Sequence, residues 1–170
     1  SGAAGTNIIT ASGEVNLAAV SDSGSPVELE INAGTDVTLT SVDIDNLLDI
    51  NVDTGVDDAA TLTAGTLSAG TITADGQGTD DTFNFDATVT STTAGIDINQ
   101  AGTVSFDADV IAATSLTITN AGEVDLAQDV DLTAQNGDVI ASTAGGVTLI
   151  DLSGAAGTNI ITASGEVNLA

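Results

Sequence analysis

Apolar and polar residues alternate in short runs along the whole chain. Examples are VELEI (27–31), VTLT (37–40), VDIDNLLDI (42–50), LTIT (116–119), VDLA (124–127) and VDLTA (130–134). A period of two, with Val, Ile and Thr prominent, predicts β-strands that bury one side. Between the runs stand AG, NAG, SG, NG and AGG, which are turn chemistry. No apolar stripe of helical period reaches a useful length, so the expectation is an all-β chain.

The runs recur. Gly-x-Val-x-(Leu/Phe) occurs as GEVNL (13–17), GTVSF (102–106), GEVDL (122–126), GGVTL (145–149) and GEVNL (165–169). GTDVTL (34–39) is the same pattern with one residue inserted, and TLT around Leu62 and TFNF (82–85) complete the series. With Val15, Val37, Leu62, Phe83, Val104, Val124, Val147 and Val167 as equivalents, the steps are 22, 25, 21, 21, 20, 23 and 20 residues, and they total 152. A period near 20 residues, with two or three short strands per step and small residues at the corners, predicts a parallel β-solenoid (β-helix) of about seven coils per 152-residue repeat. Val15, Val37, Val104, Val124 and Val147 are expected to point inward. A β-sandwich explains the short strands but neither their even spacing nor the closure at 152.

The first eighteen residues, SGAAGTNIITASGEVNLA, return unchanged at 153–170, an offset of 152. The simplest account is a parent chain of tandem units, with residues 1–152 forming one unit and 153–170 the start of the next. An artificially duplicated segment is the alternative. Coils stack at roughly 4.8 Å, so a tandem arrangement places the second copy roughly 34 Å along the axis from the first.

Composition changes this picture in one respect. The chain contains no Lys, Arg, His, Cys, Met, Trp or Tyr, and its 25 acids give a formal charge of −25. So high a charge ordinarily points to disorder, but here the acids are interleaved singly with apolar residues rather than gathered in a tail. Nothing in the chain can neutralise phosphate, which excludes nucleic acid as a partner and disfavours anionic lipid surfaces. No apolar run is long enough for a membrane span, so no membrane insertion is expected. Cysteine-based disulfides and thiolate metal sites are excluded.

The GxVxL steps, NAGEVDLAQDVDLTAQNGDV (120–139) and GQGTDDTFNFDATVT (76–90) resemble the repeat regions of giant bacterial surface adhesins and exoproteins of the filamentous-haemagglutinin kind. Their shafts are right-handed parallel β-helices. The resemblance covers nearly the whole chain through a degenerate pattern. It implies an exported bacterial fibre at the cell surface or in the extracellular space.

Three stretches offer candidate chemistry. ADGQGTDDTFNFD (74–86) resembles one turn of the calcium-binding Gly-Gly-x-Gly-x-Asp-x-apolar nonapeptide, with Gly76, Gly78, Asp80 and Phe83 in loosely matching places. Asp75 stands where that motif has its first Gly, and there is one residue too many before Phe83. A calcium site would use Asp75, Asp80 and Asp81, because hard carboxylate oxygens suit that ion. The plainer reading is an acidic, Gly-rich loop entering a strand. Asp43, Asp45, Asp49 and Asp53, or Asp57 with Asp58, offer carboxylate pairs for glycoside hydrolysis. No aromatic or basic side chain is present to hold a sugar beside them, and a solvated face is the better reading. Thr-x-Thr at 38–40, 61–63, 71–73, 88–90 and 117–119 could order water if stacked on one flat face.

The expectation is a structural shaft module of a long exported fibre serving adhesion, cell–cell contact or biofilm scaffolding. It is not expected to be an enzyme, and no cofactor is expected beyond the calcium alternative. The expected partners are adjacent identical repeats along the axis, with lateral self-association through divalent cations. A calcium- or surface-polymer-binding solenoid is the second reading.

Overall fold

The structure is a computed structural model that describes residues 5–22, 27–54, 59–78, 80–99, 101–142, 149–151, 160–163, 165 and 167–169. Every regular element among them is a strand. The first coil comprises β1 (Gly5–Ala11), β2 (Val15–Leu17) and β3 (Val20–Ser21). The second holds β4 (Val27–Ala33) and β5 (Val37–Asp43), the third β6 (Leu47–Asn51) and β7 (Thr61–Ala69). β8 (Thr71–Asp75), β9 (Thr82–Phe85) and β10 (Val89–Ser91) make the fourth, and β11 (Ile96–Asn99), β12 (Thr103–Phe106) and β13 (Val110–Ala112) the fifth. The sixth contains β14 (Leu116–Thr119), β15 (Glu123–Leu126) and β16 (Leu132–Ala134). The seventh contains β17 (Val139–Ser142), β18 (Leu149–Asp151) and β19 (Ile161–Ala163), and β20 (Val167–Asn168) opens an eighth.

Each strand pairs in parallel with its counterparts one coil away, so the chain is a parallel β-solenoid with three faces. The first face is the sheet β1-β4-β6-β8-β11-β14-β17-β20. The second and third faces form one bent sheet, because β5 and β7 run across both and pair with β2 and β3, and with β9 and β10, respectively. Gly65 lies between the two halves of β7. A Cβ there would stand 2.2 Å from the carbonyl oxygen of Thr40 in the coil before, so only glycine allows the backbones to approach this closely.

The core consists of columns that run along the axis. Val37, Leu62, Phe83, Val104 and Val124 are paired in succession and buried on the second face. Beside them run Leu39, Ala64, Phe85, Phe106 and Leu126, where the small Ala64 is followed by two large rings. On the first face Leu48, Ile72, Ile96, Leu116 and Val139 stack in the same way. Equivalent pleat positions in successive coils keep these apolar columns inside.

The expected equivalences hold from Val15 through Val124. The next is corrected: Val124 pairs with Ile150, and the expected partner, Val147, lies outside the described residues. The last is corrected too. Val167 pairs with Val139 on the first face, whereas Val15 belongs to the second. Likewise Ile161 pairs with Leu132 on the third face, while Ile9 pairs with Ile31 on the first. Over these residues the second copy of the eighteen-residue stretch is therefore not related to the first by an axial shift alone. The same letters thus occupy different faces in the two copies, so the strands they pair with set their placement.

Candidate functional site

The polar chemistry of the fold lies at its corners and along the outside of the first face. At the corners, aspartates fasten one coil to the next. Asp36 accepts a hydrogen bond from the backbone N–H of Thr61 (2.8 Å), and Asp22 accepts one from Asp45 (2.8 Å). Asp109 accepts from the N–H of Asp131 (2.9 Å), and Asp131 accepts from that of Ile160 (3.0 Å). In each case a carboxylate receives a backbone N–H from roughly one coil further along the chain, at a strand entry for Thr61, Asp131 and Ile160 and in the bend before β6 for Asp45. Bonds of this charge-assisted kind are stronger than neutral ones, so part of the chain's acidity is used to hold its corners.

Asp81 is the most buried example, with none of its surface exposed. Its carboxylate accepts from the N–H groups of Ala60 (2.9 Å), Gln77 (3.1 Å) and Gly78 (3.3 Å). Its own carbonyl accepts from Gly102 (2.7 Å) and Thr103 (3.3 Å). Three successive coils thus converge on one residue. Burial raises its carboxyl above the ordinary value; the three N–H donors oppose that shift and the nearby Asp53 adds to it.

The structure places the three candidate calcium ligands differently. Asp81 is enclosed at the corner, with both carboxylate oxygens engaged by backbone donors. Asp80 beside it is exposed. Asp75 ends β8 on the outer side of the first face, where its Oδ1 accepts from Asn99 Nδ2 at 3.1 Å. Among the described residues, no group of three or more Asp or Glu side chains is placed to share a metal ion. The carboxylates considered for hydrolysis are also spread out. Asp43 lies on the third face, Asp45 at an exposed corner, Asp49 on the first face, and Asp53 is buried at a turn with φ 57°. Asp57 and Asp58 lie outside the described residues. The Thr-x-Thr triplets divide among the faces: Thr71–Thr73 and Thr117–Thr119 on the first, Thr38–Thr40 and Thr61–Thr63 on the second. No single flat Thr array results from them.

The first face carries features that the sequence reading did not single out. Asn32, Asn51, Asp75, Asn99 and Thr119 are successive partners on its outer side. Asn51 Nδ2 donates to Asn32 Oδ1 at 3.1 Å, and Thr119 Oγ1 donates to Asn99 Oδ1 at 2.9 Å. Beside this column Thr73 Oγ1 donates to Asp49 Oδ1. An open groove of about 600 Å³ is lined here by Asp49, Asn51, Asp75, Asp97 and Asn99 among others. Burial is the main cause that raises Asp75 and Asp97; for Asp75 the Asn99 bond opposes the shift, and the charges of Asp49 and Asp97 add to it. The signal was present in the letters, as DIN at 49–51 and again at 97–99, with INA at 31–33.

In the third to fifth coils the acids carried by strands lie on one face. β6, β8 and β11 contribute Asp49, Asp75 and Asp97 to the first face, while β7, β9, β10, β12 and β13 contain no acid at all.

Comparison with protein-family models, with curated protein sequences and with solved structures finds no match to this chain. The parallel β-helix that the resemblance implies is present. Its adhesin identity receives no support from these comparisons.

Proposed function

We propose that the chain is a shaft module, a stiff axial spacer within a longer exported fibre that serves adhesion, cell–cell contact or biofilm scaffolding. The observation that supports this reading is the continuity of the core. Five successive residues from Val37 to Val124 stack in register and buried, coil upon coil. A fold whose coils contact chiefly their neighbours gains stability from each adjacent coil and can extend by adding more. Adjacent identical repeats along the axis are the natural neighbours in this reading, and a bacterial cell surface or the extracellular space is its setting.

The experiment is electron microscopy of native material with the axial repeat measured. Straight rods that lengthen by roughly 34 Å per seven coils support the shaft. Globular particles, or release of reducing ends from a glycan by the purified chain, overturn it.

One observation favours a second reading, the binding of divalent cations. Asp49, Asp75 and Asp97 line one open groove; they are not placed to share an ion among themselves, so a neighbouring rod would supply the further ligands that calcium accepts in flexible geometry. In that role the first face would bridge to a neighbouring rod through the cation.

A further inference from the structure

The last described residues are held lightly at the end of the rod. Ile161 and Ala163 pair with Leu132 and Ala134 on β16, and Val167 and Asn168 pair with Val139 and Ile140 on β17. Ile160 N–H donates to Asp131 Oδ1 at 3.0 Å, and Ile160 C=O accepts from Leu132 N–H at 2.9 Å. At the following corner Gly165 N–H donates to the Gly137 carbonyl at 2.9 Å. Ile160, Val167 and Leu169 stay exposed; among the described residues the other large apolar side chain so exposed is Ile8, at the opposite end.

Ile8 and Gly13 are the counterparts of Ile160 and Gly165 in the first copy of the stretch. Among the described residues, β1 and β2 pair only on their forward side, with β4 and β5. Gly34 N–H donates to the Ala11 carbonyl, so the backbone groups of Ala11 face the second coil. Such groups alternate sides along a strand, so those of Ile9 also face β4, while those of Ile8 and Thr10 face away. The edge that β19 turns toward β16 is therefore the edge that β1 leaves unpaired. The Gly13 corner is open as well: a Cβ there would meet nothing within 4 Å, whereas one on Gly165 would run into Asp138 Oδ1.

We propose that the surface beneath residues 160–169 is a docking site for a second copy of this chain. The β1 and β2 strands of that copy take the places of residues 161–163 and 167–168 and keep their own pairing with β4 and β5. This rests on the shaft reading and names how identical repeats adjoin. Identical letters offer identical contacts: Ile8 of the second copy bonds to Asp131 and Leu132, and its Gly13 to Gly137. The exchange trades like for like at β16 and β17. It also covers the second copy's open end, where Ile9, Ala11 and Leu17 are only partly buried. Residues 160–169 are thus a built-in cap, favoured by its tether when copies are dilute. Six coils separate β1 from β17, and β19 lies two faces further on, so a docked copy advances by roughly 32 Å and turns by one face. The contact is head-to-tail and repeats without closing.

Proline at either counterpart tests this in the full chain. Ile160→Pro removes the N–H that Asp131 accepts and weakens the cap. Ile8→Pro removes the same N–H from the docking edge, where it faces away from β4 and costs β1 no pairing. By sedimentation at fixed ionic strength, I160P is expected to join end to end at about tenfold lower concentration than the parent, the worth of one charge-assisted bond. Adding I8P should restore the parent's behaviour. Cysteines report the turn. In the I160P background, Thr10→Cys in one protein should cross-link to Thr133→Cys in another, because Thr10 is the counterpart of Thr162, the partner of Thr133. It should not cross-link to Ser142→Cys, whose column an unturned stack would extend. Rods of I160P that join no more readily than the parent, joining that survives I8P, or linkage at position 142 overturn the proposal and leave the shaft standing. Globular particles in micrographs overturn the shaft and this inference with it.

Discussion

Phe85 and Phe106, partners in adjacent coils on the second face, stack with ring centroids 5.1 Å apart and planes inclined by 15°. Both are fully buried, and with Phe83 they are the only aromatic residues in the chain. Phe106→Ala removes the ring and leaves a void between coils that are tied to their neighbours by backbone bonds and cannot collapse freely. The expected loss is about 3–5 kcal/mol by urea denaturation. Phe106→Leu, which retains most of the volume, should lose clearly less.

Asp81 yields a result opposite to what its buried charge suggests. Removing a carboxylate held above its ordinary value ought to help, but its two oxygens receive three backbone N–H groups. In Asp81→Asn an amide N–H₂ must face at least one of those donors. A loss of about 1–3 kcal/mol is expected, measured by denaturant titration at pH 7. A variant as stable as the parent would show that the corner does not depend on the carboxylate.

The pH dependence of Asp97 has a definite sign. Its carboxyl lies above the ordinary value because of burial, so the folded chain binds its proton more tightly than the unfolded chain does. The associated stability is complete below the unfolded value near pH 4 and is lost as pH rises through the folded value. Asp97→Asn should therefore be more stable than the parent at pH 7, and the difference should shrink as pH falls toward about 4. Thermal melts of both proteins across that range measure it; a difference that stays constant or widens contradicts the assignment.

Gly65 tests the bend between the second and third faces. Gly65→Ala places a methyl against the Thr40 carbonyl, a backbone atom that cannot swing aside. The variant is expected to melt well below the parent, whereas Gly13→Ala, whose Cβ would meet nothing within 4 Å, should be close to neutral.

Side-by-side association should respond to cations. With no basic side chain, two rods cannot pair charges, so their carboxylates must be screened, bridged or protonated before acidic faces can meet. Light scattering is expected to rise with millimolar-scale calcium, fall with chelator and rise again toward about pH 4 at fixed ionic strength. Rods that stay dispersed throughout would show that the charge serves only to keep them apart.

Much of the fold was legible because one physical constraint repeats. Each coil must turn on small residues and point alternate apolar side chains inward, and that left a countable mark at Val15, Val37, Leu62, Phe83, Val104 and Val124. The count failed after Val124 because GGV at 145–147 imitates the Gly-x-Val signal while the pairing falls on Ile150. The corner role of Asp81 was hidden for a different reason. An aspartate that binds backbone N–H groups three and four residues earlier has the same letters as one in a calcium loop, and only the burial of its oxygens distinguishes them. The bonds from Asn51 and to Asn99 left a visible trace in the repeated DIN, yet a polar residue on a strand's outer side carries no mark that tells a side-chain ladder from a solvated position.

Parallel pairing has one more consequence. Every strand in the rod runs the same way around its coil, and the side-chain bonds from Thr119 down to Asn32 all donate toward the earlier coil. Such a rod is an arrow. Turned end for end it is a different object, so a filament made from it has a fixed leading end and a fixed trailing end, and neighbours lying alongside must be sorted into those that point the same way and those that point back.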